Sequence, residues 1–205
     1  MTHLKYILTE SATGEFRDRG SKFLGFAFHF ESIDELKSLL KQLKTEHSGS
    51  THICYAYRLM DNRGVIEYST DAGEPSGSSG VPILNMIRRH HLVDTVIFVA
   101  RYFGGTKLGI PGLINAYGSC AEECIRNSKF EKWTKMITIR FNYAYDLQRI
   151  VDPLLNQFKC KIIQQEFSET ISIEIKIQEK NEEYFSDLLF NHSNGMIKTE
   201  AIKKG

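Results

Sequence analysis

The alternation of apolar and polar residues places strands before any motif does. Across residues 4–30, Phe16, Phe23, Phe26, Phe28 and Phe30 recur against polar or small neighbours, and Gly14 and Gly20 read as turns. Ser32-Ile33-Asp34-Glu35 has the form of a capping box, opening a helix whose stripe is Ile33, Leu36, Leu40 and Leu43. Residues 52–59 and 65–69 read as a hairpin turned by Asp61-Asn62-Arg63-Gly64. Pro82 then sits in the first turn of a helix that presents Ile83, Met86 and Ile87 on one face. Residues 93–100 are apolar and β-branched, a buried strand that ends on Arg101-Tyr102-Phe103. Pro111-Gly112 opens another helix, packed through Leu113, Ala116, Tyr117, Cys120 and Cys124.

The order changes beyond a polar stretch at 127–132. Residues 135–143 alternate as a strand, and Asp146 is placed to cap a helix carrying Leu147, Ile150, Val151, Leu154 and Phe158. Pro153 inside that helix predicts a kink or an early break. Two strands follow at 160–167 and 170–177. A helix at 181–190 stops at Asn194-Gly195, and a last strand spans 196–202. This is β-α-β-β-α-β, the ferredoxin-like split unit. The chain is therefore expected to be α+β with two domains, 1–130 and 131–205. Lys161, Glu174, Lys176 and Glu179 give the second sheet mixed charge, without a paired aromatic platform of the RNA-recognition type.

Between the hairpin and the third helix of the first part lie two glycine-rich loops, 71–80 and 104–112. Each opens a helix, and a helix start offers unpaired N–H groups and partial positive charge to an anion or phosphate. Asp71 and Glu74 bring carboxylates to the first loop, and Pro75 turns Glu74 away from helical geometry. Arg101 and Lys107 bring cations to the second. In the alternative reading the glycines only make turns and Arg101 pairs with Asp71 or Glu74. His52 stands at the start of a strand feeding this region; with Asp71 and Glu74 it offers residue types that suit a divalent ion, but no ligand spacing supports such a site. His90 reads as packing or local bonding, and Arg88-Arg89 as a solvated face.

Composition narrows the classes. A formal charge of +1 over 205 residues gives no bulk field to attract nucleic acid, so any such surface must be a local patch. No apolar run is long enough to span a membrane, and Met1-Thr2-His3 leads into Lys5 without a signal core, so the expectation is a cytoplasmic protein. Four cysteines at 54, 120, 124 and 160 lack zinc spacing and read as buried thiols. The phosphate-loop, nucleophile-elbow and zinc-protease patterns are absent, and no cofactor motif appears.

GEPSG, a proline-started helix and ARYFGGTKLGIPGLINAYG together resemble the signature of the IMPACT family, the YigZ-like proteins. Ser21-Lys22-Phe23 and residues 52–57 match its upstream motifs, so the likeness covers about residues 14–126. The resemblance implies an N-terminal domain of the ribosomal-protein S5 second-domain type and a C-terminal domain similar to the last domain of translocating elongation factors. It also implies a regulatory role linked to translation or stress, since eukaryotic relatives restrain a starvation-sensing kinase by competing for its activator. The chain departs from the family pattern at Ser78-Ser79, where Thr-Ala is usual, and at Asn115, where a cation is usual. The expected binding set is His52, Asp71, Glu74, Ser76, Ser79, Arg101, Tyr102, Gly104, Gly105, Lys107 and Asn115. The expected partner is RNA, the ribosome or a regulatory protein; the alternative is an enzyme acting on a phosphorylated small molecule.

Overall fold

A computed structural model describes residues 4–61 and 63–202, and the chain divides into two compact units, Met1–Trp133 and Thr134–Gly205. The reading of Met1-Thr2-His3 and the place of Asn62 in the hairpin turn lie outside the described residues. The whole is a mixed α/β structure with several sheets.

The first unit is built on a five-stranded antiparallel sheet. Its strands are β2 (Ala12–Asp18), β3 (Ser21–His29), β4 (His52–Asp61), β5 (Gly64–Thr70) and β6 (Thr95–Tyr102), in the order β2-β3-β6-β4-β5. Central β6 is buried on both faces, which is why its sequence runs apolar without alternation. Ile97 and Val99 face α2 (Gly80–Arg89) and α3 (Gly109–Arg126), while Val96 and Phe98 face α1 (Ile33–Glu46). Helix α3 buries Leu113, Ala116, Tyr117, Cys120 and Cys124, the face its spacing predicts.

Gly14 is not a turn. It lies within β2 opposite Gly25 of β3, where a Cβ would come within 2.6 Å of the Cys124 amide of α3. The two glycines let the helix backbone settle onto the sheet. Gly20, at φ +80, does turn the chain. Ser32 Oγ accepts from the Glu35 amide at 3.2 Å, but the Glu35 carboxylate accepts from Glu31 N, one residue before the box. Ile33 projects from the first turn and is 40% exposed, so the stripe of α1 begins at Leu36. The stretch expected to be a polar boundary is partly strand. β7 (Phe130–Lys132) pairs antiparallel with β1 (Tyr6–Leu8), and the Trp133 indole donates to Asp94 Oδ2 at 3.0 Å.

In the second unit, β8 (Met136–Tyr143), β9 (Lys161–Phe167), β10 (Ile171–Gln178) and β11 (Glu200–Ile202) form an antiparallel sheet in the order β11-β8-β10-β9. Ile171, Ile173, Ile175 and Ile177 alternate inward to meet α4 (Gln148–Gln157) and α5 (Glu182–His192). Asp146 makes no capping bond; it sits in a 3-10 turn, Tyr145–Leu147, that leads into α4. Pro153 does not break α4 either. Burial of Val151, Leu154 and Leu155 carries the helix on to Gln157 despite the missing donor. The last strand is shorter than expected, because Met196 is 64% exposed and pairing begins only at Glu200.

Candidate functional site

Strand alternation decides where the charges go. Arg101 follows Ile97 and Val99 onto the face covered by α2 and α3. Its guanidinium lies between the rings of Phe23 and Phe103, 5.7 and 5.4 Å from their centroids. Nη1 donates to Glu74 Oε1 at 2.7 Å, and the hydroxyl of Tyr117 on α3 donates to the same oxygen at 2.8 Å. The Cys54 thiol on β4 donates to the Asp71 carbonyl at 3.0 Å, with its sulfur 3.4 Å from Tyr117 Oη. The Arg101 and Glu74 side chains are only 8% and 3% exposed. Arg101 therefore pairs with Glu74 and not with Asp71, and the pair belongs to the interior.

The first loop is bent to make this possible. Ala72 and Gly73 hold φ of 44° and 95°, and the Glu74 amide donates to the Asp71 carbonyl at 2.9 Å. His52 Nδ1 lies 2.9 Å from the Ala72 carbonyl oxygen, so the imidazole props the bend. Asp71 turns the other way. Its carboxylate accepts from the amides of Gly77, Ser79 and Gly80 at 2.8–3.0 Å and from Ser79 Oγ at 2.8 Å. Burial alone would push the Asp71 carboxyl up, but the Gly77, Gly80 and Ser79 donors outweigh it and hold it below the ordinary carboxylate range. The anion expected at the first glycine loop is thus the chain's own: Asp71 occupies the donors at the start of α2. Ser79 is buried in that cap, whereas Ser76 is exposed. His52, Asp71 and Glu74 serve three different partners and do not converge as a cation site.

The second loop differs. A Cβ on Gly104 would overlap the backbone of Gly20, and the Gly104 amide donates to Ser21 Oγ at 3.2 Å, so this glycine joins two turns. Gly105, at φ +86, has open space around it. Lys107 is exposed with no ion-pair partner among the described residues, and α3 starts without a side-chain cap. Phe103 is 49% exposed. Tyr102 leaves the site, because its neighbour's alternation sends it to the α1 face, where its hydroxyl meets His47 Nδ1 at 2.9 Å. Asn115 also lies elsewhere, on the outer side of α3, lining a groove of about 560 Å³ with Met86 and Arg89.

Two members of the network are not reached from sequence. Tyr117 reads as part of a packed face, yet a buried tyrosine hydroxyl needs a partner, and that need is the available signal. Cys54 reads as a buried thiol. It is one, and burial raises its pKa to about 11, which leaves it a poor nucleophile. His90 bonds not locally but across to α3, with Nε2 2.9 Å from Glu122 Oε2, and Arg88 pairs with Glu67.

A sheet with helices on both faces, ending in an ion pair locked between two turns and followed by a separate four-stranded unit, defines a two-unit α/β protein. Residues 19–125 match the family model of the Impact N-terminal domain, and the chain belongs to the IMPACT family. The IMPACT family member YvyE of Bacillus subtilis is 29% identical over 205 residues, spanning 100% of this chain and 93% of that protein. YigZ of Escherichia coli is 25% identical over 186 residues, covering 90% of this chain and 91% of its own. A crystal structure of a hypothetical protein is similar over 100% of both chains, with a TM-score of 0.72 at 23% identity. Among the described residues no helix is long and apolar enough to cross a membrane.

Proposed function

We propose that this chain is a cytoplasmic regulator linked to translation or stress, acting by binding through the surface of its second glycine loop. Family membership supports the regulatory part of the reading. The observation that carries the rest is the buried Glu74–Arg101 pair, which pins the end of β6 and both loops while leaving Phe103, Gly105 and Lys107 exposed. A firmly held loop with one aromatic ring and one free cation suits docking onto a protein or RNA partner. The units are assigned as two domains, the first of the ribosomal-protein S5 second-domain type. The β11-β8-β10-β9 order with two helices supports a ferredoxin-like assignment for the second.

The alternative, an enzyme acting on a phosphorylated small molecule, needs a carboxylate free to move a proton. Glu74 is enclosed by Arg101 and Tyr117, and Asp71 by the start of α2, so neither reaches a substrate. Affinity capture and ribosome co-sedimentation from native extract, at two salt concentrations, test the binding reading. Lys107→Glu with Phe103→Ala should abolish capture of the partner held by the wild type; unchanged capture would refute it. A phosphorylated metabolite that raises Tm in proportion to its occupancy would restore the enzyme reading.

A further inference from the structure

The middle of α3 carries a glycine that its packing does not require. In a helix interior glycine is the least favourable residue after proline. Gly112, near the start of α3, has a reason, since a Cβ there would come within 2.9 Å of Leu108 Cβ. Gly118 has no such reason. Its φ is not left-handed, and a Cβ would meet only Pro82 Cβ of α2, at 3.9 Å, an ordinary contact. The missing side chain instead lowers the floor of the groove of about 560 Å³ on the outer side of α3.

The course of this groove follows from the sheet. α2 packs over β4 and β5, and α3 over β2 and β3. The groove reaches Met86 and Arg89 of α2 on one side of α3, and Phe16 of β2 on the other. It therefore crosses the helix over Gly118 and Ser119, with Ile114 and Asn115 on one bank and Glu122 and Glu123 on the opposite bank. A path across a helix about 10–12 Å wide takes three or four residues of extended chain, at about 3.3 Å each.

Its chemistry suits such a chain. Phe16, Met86 and the 43%-exposed Ile114 supply apolar surface. The side chains of Asn115 and Ser119 make no hydrogen bond among the described residues, and both can give and accept bonds with a peptide backbone. The acids along the groove are already answered from within the chain. Glu15 is held by Arg17 at 2.6 Å and Lys22 at 3.3 Å, Glu122 by His90 at 2.9 Å, and Glu123 by Arg126 at 3.0 Å. Arg89 is exposed and makes no ion pair among the described residues. The charge left over in the groove is positive.

We propose that the groove across α3 at Gly118 docks an extended peptide segment of a partner protein, with a carboxylate of that segment on Arg89 and apolar side chains against Met86, Ile114 and Phe16. Opposite charge fixes the register of such a segment, and the apolar floor holds it. No residue of the second glycine loop lines this groove, so its test can fail while the reading of that loop stands.

The test pans phage-displayed random twelve-residue peptides on the full chain, after depletion on the Gly118→Leu variant. The enriched peptides should share an Asp or Glu flanked by apolar residues. By fluorescence anisotropy, Gly118→Leu and Arg89→Glu should each weaken such a peptide about fivefold or more, as loss of a contact residue does. Changing the peptide's acid to Lys should restore its binding to Arg89→Glu. Gly118→Ala supplies a variant whose weaker binding does not come from misfolding: it should raise Tm by about 2–5 °C through better helix preference, yet weaken the peptide. In nitrogen-15 NMR spectra the peptide should shift the amides of Met86, Arg89, Gly118 and Ser119. No enrichment over Gly118→Leu, enriched peptides without a carboxylate, or equal binding by wild type and variants would overturn the proposal. So would amide shifts confined to residues 103–110, which would place the peptide on the glycine loop instead.

Discussion

Replacing Glu74 by Gln removes one charge from a pair that water does not reach. Side-chain exposures of 3% and 8% mean that solvent cannot take over the Arg101 charge once its partner is neutral. Breaking a buried pair from one side costs about 3–5 kcal/mol, much of it for the charge left behind. For a unit of this size, that lowers Tm by about 10–20 °C. The protein has a single tryptophan, Trp133, hydrogen-bonded to Asp94 inside the first unit, so its fluorescence in urea follows this unit. Arg101→Met should cost as much as Glu74→Gln, since it strands the carboxylate. The triple variant Glu74→Leu, Arg101→Met, Tyr117→Phe removes every charged or hydroxyl member of the cluster, and should cost about 2 kcal/mol or less. Glu10→Gln is the control. Its pair with Lys129 is 62% and 74% exposed, and its loss should cost no more than about 0.5 kcal/mol. If Glu74→Gln falls within about 1 kcal/mol of wild type, or the triple variant costs the sum of the singles, the pair is not the lock assumed here.

Asp71→Ala should destabilise the first unit by about 1–2 kcal/mol, because the opening amides of α2 lose their acceptor. The depressed Asp71 pKa gives this contribution a pH sign: it is fully present above the unfolded carboxylate range and is lost as pH falls through the lower folded value. Urea titrations at pH 3 and pH 6 should show a smaller difference between wild type and Asp71→Ala at the lower pH. Gly104→Ala should prevent stable folding of the unit, since the new methyl overlaps Gly20, whereas Gly105→Ala should cost only about 1 kcal/mol for its positive φ. The two are separated by Tm. Iodoacetamide at pH 8 should modify Cys160 slowly and the other three thiols hardly at all, since Cys54, Cys120 and Cys124 are buried and burial raises Cys160 to about 11; mass spectrometry should count four additions only in urea.

Periodicity carried the elements whose side chains face one clear partner. The stripe of α3 and the inward isoleucines of β10 were legible because each repeats over several turns or pleats. β1 and β7 were not, because three-residue strands over 120 positions apart leave no periodic trace and are held by pairing with each other and, at Tyr6, by backbone bonds to His91 and Val93. The early break at Pro153 is absent for a related reason: a local rule about one missing donor meets the burial of three neighbouring side chains, which carries α4 past it. At the site, the types of residue were legible and their assignments were not. Asp71 and Glu74 look alike in sequence, and only the backbone bend at Ala72 and Gly73 sends one to α2 and the other to Arg101.

Arg101 and Tyr102 are separated by a rule legible in the sequence itself. Adjacent residues on a strand point to opposite faces, so the two never belonged to one site. Arg101 turns toward α2 and α3 and becomes interior; Tyr102 turns toward α1 and meets His47. Applying the same rule to β4 and β5 separates Cys54, Ala56 and Glu67 from Tyr55, Tyr57 and Tyr68. Cys54 and Ala56 close the core beneath the glycine loops, and Glu67 stays exposed in its pairs with Arg58 and Arg88. The second group accumulates on a face that α1 covers only in part. Glycine is conspicuous in sequence, yet in these loops Gly80 and Gly104 serve to let backbones meet, at Thr70 and Gly20. The contacts among Tyr55, Tyr57 and Tyr68 span two strands with other residues between them, and become visible only when the register is known.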